Sequence, residues 1–310
     1  MLIRPMQETE WDAVAGLIHL STNHWYSSHL GHEIFGCEPA DCRLFPEVYE
    51  ALDPGCCLVA EEKGSGELLG SCFFHPRETH WSLGIMNVRP GLTGRGVARH
   101  LLNEIVALAE AESKPLRLVS SCMNLDSFSL YTKAGFQPQT LFQDMQFPAD
   151  MDPSSLQWPL PPGIQVRPVR ATDPPALAQL EQRLTGLHRP GDHAFFQRNE
   201  SGHWHGWMSE TAAGEATGFL YGIEHPASCM LGPGVMTDEA TALALIGAAL
   251  SSMRRPESRP VLLVPVRATG LVAELYQRGA RNLELHVSQV RGDSPEPVAV
   301  VMPTFMPETG

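Results

Sequence analysis

The sequence lacks any apolar run approaching the eighteen or so residues that a membrane-spanning helix needs. Its N-terminus, MLIRPMQETE, lacks the basic-then-apolar order of a secretory signal, so a cytoplasmic protein with no membrane partner is expected. A basic stripe is also missing. The net charge is −13, with 10 of the 22 Lys and Arg and 19 of the 35 Asp and Glu falling before position 151. Neither half has the electrostatic footprint of a nucleic-acid binder, and an acidic surface suits a cationic amine. The seven cysteines are odd in number, two of them adjacent (Cys56 and Cys57), and none stands in a CxxC pair. They read as reduced thiols that serve packing, with no zinc set among them.

At 310 residues the chain is long enough for two domains, each with its own core. A proline-rich stretch, FPADMDPSSLQWPLPPG, has no hydrophobic periodicity and reads as a linker. The chain repeats itself on either side of it. Ile3-Arg4-Pro5-Met6 precedes apolar residues at helical spacing (Trp11, Val14, Leu17, Ile18), and Val166-Arg167-Pro168-Val169 precedes Leu177, Leu180 and Leu184. Further on, Leu130-Tyr131-Thr132-Lys133-Ala134-Gly135 has an echo in Leu275-Tyr276-Gln277-Arg278-Gly279-Ala280, each after a β-like run. Two related domains follow, at 1–148 and 164–310, joined by a linker at 149–163. Residues 57–62, 67–75 and 80–88 read as successive strands, and strands mixed with helices in this order indicate an α+β fold. The expected sheet is mixed and mostly antiparallel, with helices on both faces.

The strongest chemical signal is Val88-Arg89-Pro90-Gly91-Leu92-Thr93-Gly94-Arg95-Gly96-Val97-Ala98, leading into RHLLNEIVALAE. A strand stops at a proline, turns through glycines and enters a long helix. Gly94 and Gly96 allow close approach of the backbone to an anion, and the helix start adds unpaired N–H groups and the positive end of its dipole. By itself a GxG of this kind also fits a tight turn. The next strand, LRLVSS, leads to Asn124-Leu125-Asp126-Ser127-Phe128-Ser129-Leu130-Tyr131-Thr132-Lys133-Ala134-Gly135-Phe136.

These two stretches, in this order and spacing, resemble the two signatures of the GNAT superfamily of acyl-CoA-dependent N-acyltransferases. The resemblance covers about residues 3–148 and implies two tandem GNAT-like domains. It implies acetyl-CoA (acyl-CoA) as co-substrate, no metal, and a small-molecule or protein amine as acceptor. The protein would act as a monomer or homodimer. The backbone of Gly94, Arg95, Gly96, Val97 and Ala98 would hold the pyrophosphate, with Arg95 and Arg99 adding charge. Backbone near Met86 and Val88 would polarise the thioester carbonyl, and Asn124 would touch the pantetheine arm. Tyr131 would protonate the departing thiolate. One departure is Gly91, which stands where the family carries Gln or Arg. A second is the strand before the turn, HWSLGIMNV, which has no carboxylate where many members place a glutamate base. His80 is the base carried forward, with His75, Glu78 or water as alternatives.

His24, Trp25 and Tyr26 lie in a segment with His29, His32 and Glu33, with His29 and His32 read onto one helical face. In this fold that segment would wall the acceptor pocket; a metal site and plain structure are the other readings. The second half keeps the architecture but not the cradle. Thr237 is expected to cap its helix, with Asp238 and Glu239 in the first turn opposing phosphate, although Gly232 and Gly234 still offer a possible turn. It resembles a degenerate GNAT repeat. A non-catalytic acyl-CoA sensor is the alternative to an enzyme.

Overall fold

The computed structural model describes residues 1–92, 94–253 and 260–305. Thr93 of the glycine turn and residues 306–310, which close the second repeat, lie outside the described residues. Packing divides the chain into two compact units, one of residues 1–118 with Phe305, the other of residues 119–304.

The first unit opens with β1 (Leu2–Pro5), α1 (Trp11–Leu30) and α2 (Leu44–Leu52). Then come β2 (Cys57–Glu61), β3 (Leu68–Pro76), β4 (Trp81–Val88), α3 (Val97–Ala111) and β5 (Leu116–Ser121). Strand order is β1-β2-β3-β4-β5, antiparallel except for the parallel pair β4–β5. That pair needs a crossover, which α3 supplies. A Cβ on Gly70 of β3 would meet Val97 and Leu101 of α3, whereas Asn87 of β4 reaches Ser21 of α1. Gly70 pairs with Val88, one residue on from Asn87, so α3 and α1 cover opposite faces of the sheet.

The second unit starts at the end of β5 and continues through α4 (Leu125–Lys133), β6 (Gln137–Gln146), β7 (Ile164–Pro168), α5 (Pro174–Thr185) and α6 (Pro190–Arg198). Three long strands follow, β8 (Trp204–Thr211), β9 (Ala216–His225) and β10 (Ser228–Met236), then α7 (Glu239–Ser252). It ends with β11 (Val261–Pro265), α8 (Thr269–Gln277), β12 (Arg281–Arg291) and β13 (Val300–Met302). The strand order is β12-β6-β11-β10-β9-β8-β7, with β13 on β10. Thus β6, which precedes position 148, is flanked by β12 and β11, which is why packing divides the chain earlier than that position. The proline-rich segment is packed too: Leu156 and Trp158 join the core around α7, and Trp158 lies against Gly247.

The repeat has a physical basis. Arg4 in β1 bonds Glu10 at 2.6 Å and Glu61 of β2 at 2.7 Å. Arg167 in β7 bonds Asp173 at 2.7 Å and Glu210 of β8 at 2.9 Å. In each copy one guanidinium clips the first strand to the following helix start and to the neighbouring strand, a geometry that its planar fork suits.

Candidate active site

β4 is fully buried from Trp81 to Gly84, then half-exposed at Ile85, Met86 and Val88. Its parallel pairing with β5 is confined to Trp81↔Leu116 and Ser82↔Arg117. On the β3 side the register shifts between Cys72↔Met86 and Phe74↔Leu83, so Gly84 and Ile85 together face Phe73 in a β-bulge. The strand therefore bends, and its second half offers unpaired backbone on the β5 side.

The turn that follows is pinned at Arg89, whose N–H donates to Leu69 O at 2.9 Å and whose Nε donates to Leu68 O at 3.1 Å. Leu92 N–H closes back on Arg89 O, and Arg95 N–H on Leu92 O at 3.1 Å. The Arg95 amide is thereby spent inside the turn, a correction to its place among the cradle donors. Gly94 and Gly96 both have left-handed φ near +80° (82° and 80°), which a Cβ disfavours. Gly96 is the N-cap of α3, with no side-chain cap and no acidic residue in the first turn. Among the described residues nothing accepts from the N–H groups of Gly96, Val97, Ala98 or Arg99. The side chains of Arg95 and Arg99 are exposed, Arg95 standing 3.6 Å from Glu62. The result is an undressed helix N-terminus flanked by two cations, suited to an anion.

α1 runs through the histidine segment to Leu30 and stops at Gly31 in the left-handed conformation. His32 thus lies past the helix, contrary to the reading that set it with His29 on one helical face. Trp25 is one turn beyond Ser21 and Thr22, which hold Asn87 of β4; its ring stacks on His29 at 4.8 Å and meets Tyr26 edge-on. His24 is exposed. His80 lies just before β4, at the opposite end from the turn, 1 % exposed, with Nδ1 3.0 Å from Thr79 Oγ1. His75, near the end of β3, holds Asp53 Oδ2 through Nδ1 at 2.5 Å, and Arg77 grips the same carboxylate at 2.7 and 2.9 Å. Burial pushes the Asp53 carboxyl up, but His75 and Arg77 outweigh it and hold it below the ordinary value. Sequence reading missed Asp53 because it stands 22 residues from its histidine and carries no motif.

In the second unit Asn124 is the N-cap of α4, its Oδ1 accepting from Ser127 N–H at 3.0 Å. Tyr131 is 7 % exposed and packs on Phe136, ring centres 5.8 Å apart. Its counterpart Tyr276 is turned outward, 44 % exposed, and donates to Gln143. α7 differs from α3 at its start. Asp238, not Thr237, is the N-cap; its Oδ1 takes Thr241 N–H at 2.8 Å, and Glu239 takes Leu271 N–H at 2.7 Å. Gly232 and Gly234 form no turn: both lie within β10, and a Cβ on Gly234 would come 2.7 Å from Leu220. Asp144, Glu284 and His286 bring ligand-type atoms within 4.8 Å of one another, His286 Nδ1 lying 2.8 Å from Asp144 Oδ1.

The model of the Acetyltransferase (GNAT) family matches residues 20–136, the span that holds β4, the glycine turn, α3, Asn124 and Tyr131. Residues 20–136 are thus similar to that acetyltransferase domain. Solved structures extend the fold likeness over nearly all of the chain. A Pyrococcus horikoshii protein described as an acetyltransferase is 14 % identical with a TM-score of 0.74, covering 99 % of this chain and 95 % of its own. A GCN5-related N-acetyltransferase from Sphaerobacter thermophilus is 19 % identical with a TM-score of 0.62 and 96 % of each chain covered. A tandem GNAT protein from the clavulanic acid biosynthesis pathway is 15 % identical with a TM-score of 0.63, covering 96 % and 99 %. No curated protein matches the sequence. The fold is thus the mixed, mostly antiparallel form shared with a tandem GNAT protein. Among the described residues no helix is long and apolar enough to cross a membrane.

Proposed function

We propose that the protein is an N-acyltransferase that moves an acetyl group from acetyl-CoA to a primary amine by direct attack in a ternary complex. The observation that carries this reading is the start of α3, where a left-handed glycine cap and an acid-free first turn leave backbone donors open to a pyrophosphate. Gly96, Val97 and Ala98 supply those donors, with Gly94 bending the turn and Arg95 and Arg99 adding charge through their side chains. The unpaired half of β4 supports pantetheine lying alongside as an added strand, with backbone at Met86 or Val88 polarising the thioester carbonyl. Asn124, its oxygen already used as a cap, keeps its amide NH2 for the pantetheine arm. Tyr131 gives the leaving thiolate its proton. Trp25 and Tyr26 suit an acceptor wall, and the exposure of His24 makes it the weakest of the three assigned there.

The repeats at 1–148 and 164–310, with 149–163 between them, remain our division by descent, and only the first binds acyl-CoA. A monomer or homodimer in the cytoplasm, with a small-molecule or protein amine as acceptor, completes the reading. The missing carboxylate on β4 favours a second reading, a non-catalytic acyl-CoA sensor. Thiol release from acetyl-CoA, measured against a panel of primary amines, separates the two. Release dependent on one amine class supports the enzyme; tight binding without release under any amine supports the sensor.

A further inference from the structure

β4 lacks a carboxylate, yet one titratable ring abuts its bulge. A Cβ built on Gly84 would lie 3.1 Å from His75 Nε2 and 3.0 Å from Phe73 Cβ, so the imidazole fills the space that a side chain at 84 would occupy. Its other nitrogen is fixed by Asp53 at 2.5 Å, and Arg77 fixes Asp53 in turn. The ring of Tyr49 lies 5.0 Å away, closing the α2 side. Side chains alternate along β3, so His75 shares the face of Ser71 and Phe73, and Ser71 pairs with Asn87, which reaches α1. The dyad therefore sits on the α1–α2 face of the sheet, behind the point where β4 leaves β5.

We propose that His75, oriented by Asp53, is the proton acceptor of the transfer, acting at the β4 bulge in place of a carboxylate on that strand. This rests on the acyltransfer reading above. The amine arrives as an ammonium and passes one proton to His75 Nε2, on a ring only 1 % exposed, giving an imidazolium held by Asp53. The neutral nitrogen then attacks the thioester carbonyl carbon; the C–N bond forms and, as the tetrahedral adduct collapses, the C–S bond breaks. Tyr131 protonates the thiolate and is restored by the second proton that nitrogen sheds. His75 returns its proton to solvent, so the products are the amide, the free thiol and one proton.

The electrostatics agree. Arg77 and Asp53 neutralise each other, and an imidazolium added beside them keeps a carboxylate partner. The titratable groups around the ring are Tyr49 of α2, Asp53 at its C-cap, Cys56 in the next turn, and Arg77 and His80 after β3, while β4 presents Ser82 and Gly84. Burial first, then Asp53, pushes the Cys56 thiol up to about 11, which leaves it no competing base near neutrality.

The test uses the full chain, acetyl-CoA and the same amine panel across pH. His75→Gln is expected to keep acetyl-CoA affinity and far-UV spectrum, to lose roughly 10²-fold or more in turnover, and to lose the acidic limb of the profile. Asp53→Asn is expected to move that limb to lower pH, because an imidazolium without its carboxylate gives up its proton more readily. A purely structural role lowers turnover at every pH alike, and an acidic limb unchanged in His75→Gln overturns the proposal. Failure of the wild type to bind acetyl-CoA instead removes the acyltransfer reading. If no amine in the panel is acylated, nuclear magnetic resonance decides: the imidazole nitrogen signals missing in His75→Gln must titrate between about pH 5 and 8 in the wild type. A ring that holds one protonation state throughout cannot be the acceptor.

Discussion

Replacing Gly96 tests the cradle most sharply, because two substitutions share its backbone cost and differ in charge. At φ +80° a residue with a Cβ costs roughly 1–2 kcal/mol. The new Cβ first meets Arg99 Nη2 at 3.3 Å and the His100 ring at 3.4 Å, both movable side-chain ends, so crowding adds little. Gly96→Glu and Gly96→Lys should therefore lower the melting temperature equally. Their effect on ligand should differ. A carboxylate about 5 Å from a doubly charged pyrophosphate is opposed by about 2 kcal/mol at the dielectric of water, and by several times that in a partly enclosed site. A loss of acetyl-CoA affinity of roughly 30-fold or more follows for Gly96→Glu, while Gly96→Lys retains binding. Calorimetric titration beside thermal melts reads both quantities. Equal losses in the two variants would mean that shape rather than charge is at stake, and no loss in Gly96→Glu would mean that phosphate does not visit this helix start.

Tyr131→Phe is expected to leave acetyl-CoA affinity intact and slow turnover roughly 10²-fold once chemistry limits the rate; undiminished single-turnover rates would remove the phenol from the mechanism. In the second unit, Glu181 is buried between Arg189 at 2.7 Å and His193 at 3.1 Å. Burial raises its carboxyl, but Arg189 and then His193 outweigh it and bring it down to about 2. A depressed carboxylate stabilises the fold above its unfolded value near 4.3, and that contribution, on the order of 3 kcal/mol, drains away between about pH 4 and 2. Acid titration of the melting temperature should show Glu181→Gln already weakened at pH 7 and losing less of its stability over that window than the wild type; parallel curves would contradict this. Gly234→Ala should cost about 1–3 kcal/mol by forcing a methyl against Leu220 and Phe219 O, yet leave acetyl-CoA stoichiometry unchanged.

Features carried by neighbours in the chain were legible beforehand. The Ile-Arg-Pro and Val-Arg-Pro openings announce a repeat because each arginine must meet an acid at a fixed helix start, Glu10 or Asp173. The turn from Val88 into α3 was legible because proline, glycine and helix periodicity are local. Features built by distant pairing were not. Trp158 looked like part of a tether until α7 supplied its partner at Gly247. β6 falls within the expected 1–148 unit but lies between β12 and β11, a choice settled by registers across more than a hundred residues. The end of β10 looked like a turn because Gly232, Pro233 and Gly234 are turn residues; the strand instead runs through a register shift between Leu231 and Gly234. The Asp53–His75 pair left no trace in sequence, since its meaning depends on Gly84 being bare.

We place acyl-CoA at the start of α3 and not at the start of α7. Amide hydrogen exchange on the full chain, with and without saturating acetyl-CoA, tests this directly. Protection is expected at Met86–Val88 and Gly96–Arg99, with Met236–Leu245 unchanged because Asp238 already takes the Thr241 donor there and Glu239 adds a carboxylate to the first turn. Protection centred on the start of α7, or none at the start of α3, would contradict the account.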